Sequence, residues 1–191
     1  MRAFAERLNH KDAMKALERP FVHYVCNLPS NARTHFYGIR EALPNLKGIA
    51  IFDQLSTAIP QDLGAEGLMW RKREIENYLC YPETLEAYAR GDQDDFFAER
   101  RIKRMHEAIE EIKDVLEKLG KGSPWDDNTK VSDDFLTPLF ENYFKKLNLP
   151  NIMAKKNFHE LARYVPLDKI VPEINEKLDA IARIANSACA Q

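Results

Sequence analysis

Residues 47–53, with the sequence KGIAIFD, form the most strand-like run in the chain. A short apolar run that follows a glycine and ends at a carboxylate is typical of a buried strand. Upstream, the β-branched and aromatic residues at 21–26 (FVHYVC) predict an earlier buried strand. Residues 32–43 between them have helical spacing. Strand, helix and strand in this order imply parallel strands joined by a right-handed crossover.

The rest of the chain extends this pattern with one more short strand and several helices. The strand is predicted at 67–70, and helical spacing is found at 3–18, 71–91, 93–119, 133–147, 156–164 and from 167 to the end. Residues 9–12 either interrupt the first of these helices or start a second one, and Pro82 either breaks the helix at 71–91 or starts a second one. The fold class expected is therefore α/β: a small, mostly parallel sheet flanked by helices, with an all-α C-terminal extension. The expected division places the α/β domain at 1–92 and the helical extension at 93–191.

Composition excludes several classes of protein. The chain has 191 residues, is 45% hydrophobic and 30% charged, and has a net charge of −2, which argues against disorder and against a broad nucleic-acid-coating surface. No apolar run approaches the roughly 20 residues that span a bilayer, and the first residues do not resemble a signal peptide. Three cysteines without metal-ligand spacing argue against a disulfide framework. We expect a soluble cytoplasmic protein with no membrane partner.

Asp53 is the first candidate functional residue. In parallel sheets the functional crevice lies at the carboxyl ends of the strands, and Asp53 follows the predicted strand directly. A carboxylate there can hold Mg²⁺ or Mn²⁺ against a phosphate, because hard cations prefer oxygen ligands. The alternative is a solvated aspartate that caps a turn.

Residues 71–76 (RKREIE) are the second candidate site. Arg71, Lys72 and Arg73 could contact a phosphate backbone. If the chain is extended here, Glu74 and Glu76 project the same way and can share a metal ion, whereas in a regular helix they lie far apart. The alternative is a charged helix start, where acidic residues are favoured in the first turn.

Lys155 and Lys156 are the third candidate, because a lysine near a metal site can neutralise charge that develops on a phosphoryl group. The alternative is a solvated lysine pair at a helix start. The histidines have no zinc-ligand spacing. The chain contains neither a Ser-His-Asp set nor a Walker A loop, so we expect no ATP site in this chain.

Residues 70–83 (WRKREIENYLCYPE) resemble a recurrent segment of the Toprim-like nuclease domain in OLD-family proteins, where it follows an AAA/ABC-type ATPase. Residues 20–53 and the helical tail, including 154–158 (AKKNF), are similar to other parts of that region. The resemblance implies a Mg²⁺- or Mn²⁺-dependent DNA nuclease centre, with an ATPase domain in cis or in trans as partner.

The resemblance also implies roles for individual residues. Asp53 matches the first acid of an Asp-x-Asp motif, and Glu74 and Glu76 match a later pair of metal-binding carboxylates. Lys155 or Lys156 matches a basic residue near the scissile phosphate. Two-metal chemistry would activate a water and stabilise the leaving oxygen.

Two departures from the family pattern shape the functional expectation. Leu55 stands in the position of the second acid, and the chain opens in a helix rather than in the strand and glutamate that begin a Toprim domain. We therefore expect a fragment or remnant of such a nuclease that is not catalytically competent alone. One alternative is a non-catalytic protein-interaction or homodimerisation module. Another is a small independent enzyme that acts on some other phosphate ester.

Overall fold

The computed structural model describes residues 1–91 and 96–189 of the chain. These form two compact units, of which the first comprises Met1–Arg71 with Val171–Gln191 and the second Lys72–Ile170. This division differs from the expected one because the last helix belongs with the amino-terminal segment. The boundary expected at 92/93 itself falls outside the described residues.

Along the chain, helical elements come both before and after a short sheet. The α-helices are α1 Arg2–Arg7, α2 Lys11–Ala16, α3 Pro29–Ala42, α4 Pro82–Arg90, α5 Ala98–Lys118, α6 Thr137–Leu147 and α7 Pro172–Cys189. The 3-10 segments are Ile75–Tyr78, Lys155–Tyr164 and Leu167–Lys169, and Ser132–Leu136 is a π-helical turn. No helix in the described ranges is both long and apolar enough to cross a bilayer.

Two strands, β1 Ile49–Phe52 and β2 Glu66–Met69, pair in parallel. Ile49 is opposite Glu66 and Phe52 is opposite Met69. The prediction of a mixed fold with parallel strands is confirmed. The crossover at 53–65 consists of turns rather than a helix, in keeping with Pro60 and Gly64 in this polar loop.

The core of the first unit lies beside this sheet. Ala32 of α3, Phe52 of β1 and Leu63 form a buried cluster. Val25, Ala50, Leu55 and Ile59 pack against it at its margin. Helix α7 packs against both α2 and β1, which brings the end of the chain onto the first unit.

The predicted strand at 21–26 is wrong. Residues 21–25 belong to no helix or strand, Cys26 lies in a turn, and Phe21 and Tyr24 are 81% and 87% exposed. Strand propensity expresses how well a side chain fits a pleated, half-buried surface. A strand also needs a neighbouring backbone with which to pair, and among the described residues β1 pairs only with β2.

Several helices are interrupted where the backbone leaves the α region. Asn9 has a φ of 51° and separates α1 from α2 within the helix predicted at 3–18. In the helix predicted at 71–91, only Ile75–Tyr78 and α4 are helical, and Pro82 begins α4 because proline suits the first turn. The helix predicted at 93–119 begins at Ala98, and residues 93–95 lie outside those described.

The second unit is a helical assembly centred on α5. Helix α5 packs against α4 and α6, and α4 also contacts the 3-10 segment Lys155–Tyr164. The buried side of α5 follows helical spacing, since Ile102, Met105 and Ile109 recur every three to four residues. Aromatic rings from different elements meet edge to face, as for Tyr88 and Phe140, whose centroids are 5.3 Å apart.

Candidate functional site

Asp53 lies at the carboxyl end of β1, directly after the fully buried Phe52. Because the two strands are parallel, the carboxyl end of β2 lies at the same edge of the sheet. Gln54 bridges this edge by donating from Nε2 to the carbonyl oxygen of Arg71 at 3.1 Å. Leu55 turns back toward the core instead of adding a second acid. Asp53 therefore lies at the carboxyl end of a strand, as the sequence predicted.

Glu74 is a buried carboxylate at the start of the second unit, with a 5% exposed surface. It is the N-cap of the 3-10 segment Ile75–Tyr78, and its N–H donates to Oδ1 of Asn77 at 3.0 Å. Its side chain accepts from the N–H of Asn77 in return, which completes a capping box. Both carboxylate oxygens are also engaged by Ser132, whose N–H donates to Oε1 at 2.5 Å and whose Oγ donates to Oε2 at 3.0 Å.

Glu76 is half-buried in the first turn of the same 3-10 segment. The backbone of Glu74 is extended, with a φ of −152°, but the chain enters the helical turn at Ile75. The extended geometry that would project both carboxylates the same way therefore ends between them. Residues 71–74 are not helical and the 3-10 turn begins only at Ile75, so the structure lies between the two local geometries considered from the sequence.

The three basic residues at 71–73 have three different environments. Arg71 belongs to the first unit, where its Nη2 lies 3.1 Å from Oε2 of Glu176 and its N–H donates to Oε1 of Glu173 at 3.0 Å. Lys72 and Arg73 belong to the second unit. These residues therefore do not form one basic strip within a single unit.

Lys72 is held between two tyrosines and a carboxylate. Its Nζ lies 5.1 and 5.3 Å from the ring centroids of Tyr78 and Tyr81 and 3.0 Å from Oδ1 of Asp127. Burial lowers the pKa of Lys72, but the hydrogen bond to Asp127 and the nearby tyrosine outweigh it and raise the pKa above its ordinary value. The ammonium group of Lys72 therefore stabilises the protein's own acidic loop.

Arg73 lines an open cavity of about 730 Å³ in the second unit. Its N–H donates to the carbonyl oxygen of Asp127 at 2.7 Å. Asn77 holds the same loop, donating from Nδ2 to the carbonyl oxygens of Asp126 and Thr129 at 3.2 and 3.0 Å. The lining carries both signs of charge, with Arg73, Lys121 and Lys130 facing Asp126, Asp127 and Asp134. This balance gives the cavity no general preference for anions.

Lys155 and Lys156 are exposed at the start of the 3-10 segment Lys155–Tyr164. Nζ of Lys155 lies 2.6 Å from Oδ1 of Asp133, and Nζ of Lys130 lies 2.5 Å from Oδ2 of the same residue. The hydrogen bonds from Lys130 and Lys155 lower the pKa of Asp133. The charge of Lys155 is thus balanced within the second unit.

Ser132 and Asn77 are the partners that sequence reasoning missed. The signal for Asn77 is present, because an acidic N-cap followed three residues later by an amide is the spacing of a capping box. No local signal identifies Ser132, which is 58 residues away from Glu74 along the chain. Ser132 begins the π-helical turn, so the contact fixes that turn to the 74–77 segment.

The exposed segment 20–25, here called the strap, is a feature of the first unit that the sequence did not predict. Phe21 and Tyr24 extend into solvent, whereas the ring of His23 stacks on His35 of α3 with centroids 3.6 Å apart. After the strap, Cys26 and Asn27 adopt left-handed φ values of 54° and 56°. The strap is thus an exposed, mainly apolar segment that contacts α3 through His23.

Over residues 1–91 and 96–189, no group of three or more His, Cys, Asp or Glu side chains is arranged to hold a metal ion. The chain matches no protein-family model, no curated protein and no solved structure.

Proposed function

We propose that this chain is a non-catalytic protein-interaction module built on the remnant of a Toprim-type nuclease domain. The observation that carries the proposal is the strap, which presents Phe21, Val22 and Tyr24 to solvent on backbone that belongs to no helix or strand. Exposed apolar side chains beside unpaired backbone can be covered by a strand that another polypeptide adds. The partner expected is accordingly a protein that offers an unpaired strand.

The arrangement around Glu74 supports the non-catalytic part of the proposal. A carboxylate that serves as a metal ligand needs oxygen lone pairs directed at the ion. Both oxygens of Glu74 accept hydrogen bonds from Ser132, and the side chain also caps the 3-10 segment. In this arrangement Glu74 acts as a structural carboxylate.

The experiment for the interaction proposal is photo-crosslinking in cells that produce the full chain. A benzophenone amino acid replaces Tyr24, and a matched chain carries the same probe at Ile152, an exposed apolar position in the second unit. We expect a covalent protein adduct from position 24 and none from position 152. Absence of an adduct at position 24 overturns the proposal, as does equal labelling from both positions.

A Mg²⁺- or Mn²⁺-dependent DNA nuclease is the second candidate. It is favoured by the position of Asp53 at the carboxyl end of β1 in a parallel pair, where catalytic groups collect in open α/β sheets. In this candidate Asp53 in the first unit, and Glu74 and Glu76 in the second, would be metal-binding carboxylates. Arg71, Lys72 and Arg73 would contact DNA, and Lys155 or Lys156 would neutralise charge on the phosphate.

The nuclease candidate is tested by nicking of supercoiled DNA in Mn²⁺. Nicking by the purified chain that is lost in Glu76→Ala supports a nuclease and contradicts the non-catalytic module. Glu141→Ala on α6 is the matched control, because Glu141 is an exposed glutamate of the same unit. Under the interaction proposal, neither the unaltered chain nor either variant nicks the plasmid.

A further inference from the structure

The cavity beside Arg73 lies within the second unit and is lined mainly by the loop at 121–130. Its volume of about 730 Å³ is in the range of small-molecule sites, roughly 300–1,000 Å³. The loop is closed by its own hydrogen bonds: Oγ1 of Thr129 donates to the carbonyl oxygen of Ser123 at 2.7 Å, and the N–H of Trp125 donates to Oγ of Ser123 at 3.2 Å. The wall of the cavity is therefore fixed by the chain itself.

Most charged side chains of the lining are neutralised by ion pairs within the unit. The charged lining residues are Arg73, Lys121, Asp126, Asp127, Lys130 and Asp134. Ion pairs with N–O distances of 2.5–3.0 Å join Lys121 with Asp134, Asp127 with Lys72, and Lys130 with Asp133. In the described part of the chain, these pairs leave one cation and one anion of the lining without an ion-pair partner, namely Arg73 and Asp126.

Arg73 and Asp126 carry opposite charges in the same cavity, but among the described residues no ion pair joins them. The backbone of Arg73 is fixed beside the loop, because its N–H donates to the carbonyl oxygen of Asp127 at 2.7 Å. Oδ2 of Asp126 accepts from the N–H of Ser123 at 3.2 Å, and Oδ1 has no protein donor in the described ranges. The Arg73 guanidinium and Oδ1 of Asp126 therefore keep their hydrogen-bonding capacity for a ligand.

Trp125 supplies an aromatic surface to the same lining. Its half-buried ring meets Phe135 edge to face, with centroids 5.3 Å apart, which fixes the orientation of the indole. Over residues 1–91 and 96–189, the indole N–H of Trp125 donates to no protein acceptor. A flat apolar group of a ligand can pack against this ring.

We propose that this cavity binds a free α-amino acid with an aromatic side chain. The guanidinium of Arg73 binds the ligand carboxylate, Asp126 accepts from the ligand ammonium group, and the ligand ring packs on Trp125. A zwitterion is favoured over a simple anion or cation, because a ligand with a single charge leaves the opposite charge of the cavity without a partner. This inference goes beyond the proposed interaction function and does not rest on it, since the strap lies in the first unit.

The affinity should be modest. Arg73 and Asp126 are both exposed, and ion pairs of exposed groups are weakened by solvent and salt. We expect a dissociation constant of about 1 mM for L-phenylalanine. Such a ligand exchanges quickly and is best followed by NMR.

The test is a titration of the isotope-labelled full chain with L-phenylalanine up to about 20 mM, a range that covers the expected affinity. The chain has two tryptophans, so the indole N–H signal of Trp125 reports on the cavity. The signal of Trp70, which is 3% exposed in the first unit, is the internal reference, and Trp125→Phe assigns the two signals. A saturable shift of the Trp125 signal alone supports the proposal. Absence of a saturable shift overturns it.

Two analogues test whether both ligand charges are recognised. N-acetyl-L-phenylalanine lacks the ammonium group, and L-phenylalanine amide lacks the carboxylate. Each should bind at least about tenfold more weakly than L-phenylalanine. Equal binding of either analogue overturns the zwitterion site, because the cavity then recognises one end of a ligand only.

Two variants test the assigned partners. Neither removes a recorded hydrogen bond of the fold, because the backbone of residue 73 is retained in Arg73→Gln and the amide oxygen in Asp126→Asn can still accept from Ser123. Each should weaken L-phenylalanine binding at least about fivefold. Arg73→Gln should leave the affinity for the amide unchanged, and Asp126→Asn should leave that for the N-acetyl analogue unchanged.

Arg163→Gln and Asp168→Asn are the matched controls, because both residues are exposed in the same unit and outside the cavity. Both controls should bind L-phenylalanine as the unaltered chain does. Unchanged affinity in Arg73→Gln or in Asp126→Asn overturns the assignment, as does an equal loss of affinity in the controls.

Discussion

Ser132 donates to both carboxylate oxygens of Glu74, through its N–H at 2.5 Å and its Oγ at 3.0 Å. Both residues are buried, at 5% and 0% exposed. A buried carboxylate that accepts several hydrogen bonds is tolerated because these bonds replace its hydration. The pair therefore joins the capped 3-10 segment of Ile75–Tyr78 to the π-helical turn that precedes α6.

The first prediction concerns this pair. Glu74→Ala should lower the free energy of unfolding by about 2–4 kcal/mol, because it leaves the N–H of Ser132 buried without an acceptor. Ser132→Ala should cost about 1–2 kcal/mol, since it removes one donor and keeps the backbone bond. Urea denaturation measures each value.

The double variant of Glu74 and Ser132 tests whether they act as a unit. The double variant should lose less free energy of unfolding than the sum of the two single losses, because the hydrogen bond from the Ser132 hydroxyl is already absent once either partner is removed. Additive losses would contradict the pairing. Glu110→Ala on the exposed side of α5 is the control, and it should change stability by no more than about 0.5 kcal/mol.

The second prediction concerns the loop at 123–129. Asn77→Ala should free this loop from the 3-10 segment, because the Asn77 amide donates to the carbonyl oxygens of Asp126 and Thr129. We expect a loss of about 2 kcal/mol in the free energy of unfolding and faster proteolytic cleavage within the loop. Asn142→Ala, which removes an exposed hydrogen bond to Glu111, should leave the cleavage rate unchanged. Unaltered cleavage in the Asn77 variant would contradict the assignment.

The third prediction is a loss of stability at alkaline pH. Burial raises the pKa of Tyr143 to about 12 in the folded chain, against about 10 in an unfolded one. A raised pKa contributes stability that is fully present below pH 10 and is lost as the pH rises toward 12. The slope in that window should be about 1.4 kcal/mol per pH unit for this tyrosine.

Denaturation of Tyr143→Phe across the same pH range is the comparison. The variant should lose less stability between pH 10 and 12, because phenylalanine does not ionise. Burial also raises the pKa of Tyr88, so part of the alkaline loss should persist in the variant. Parallel stability curves for the two proteins would show that Tyr143 does not contribute.

The fourth prediction concerns divalent cations. Since the carboxylate of Glu74 is engaged by Ser132, millimolar Mn²⁺ should leave the melting temperature unchanged within about 1 °C. Thermal denaturation with and without the ion measures this. Stabilisation that disappears in Asp53→Asn or in Glu76→Gln would instead indicate a metal site that uses the substituted carboxylate.

The sequence was informative wherever local chemistry decides the outcome. The apolar run that ends at Asp53 became β1, and Pro82 began a helix, because side-chain burial and a fixed proline φ act over a few residues. The prediction from sequence was wrong for residues 21–26. Their composition suits a strand, but in the first unit they pair with no other strand. The sequence also gave no indication that Ser132, 58 residues away along the chain, would donate a hydrogen bond to the carboxylate of Glu74.

By itself, the sequence determined the mixture of helices with a parallel strand pair and the position of Asp53 at a strand end. Only the tertiary structure decided that α7 returns to the first unit, that Arg71 and Lys72 pair with different carboxylates and that the strap remains exposed. The physical reason is the distance along the chain over which each interaction acts. Backbone conformation and capping depend on neighbouring residues, whereas ion pairing, strand pairing and burial depend on which distant segments the fold brings together.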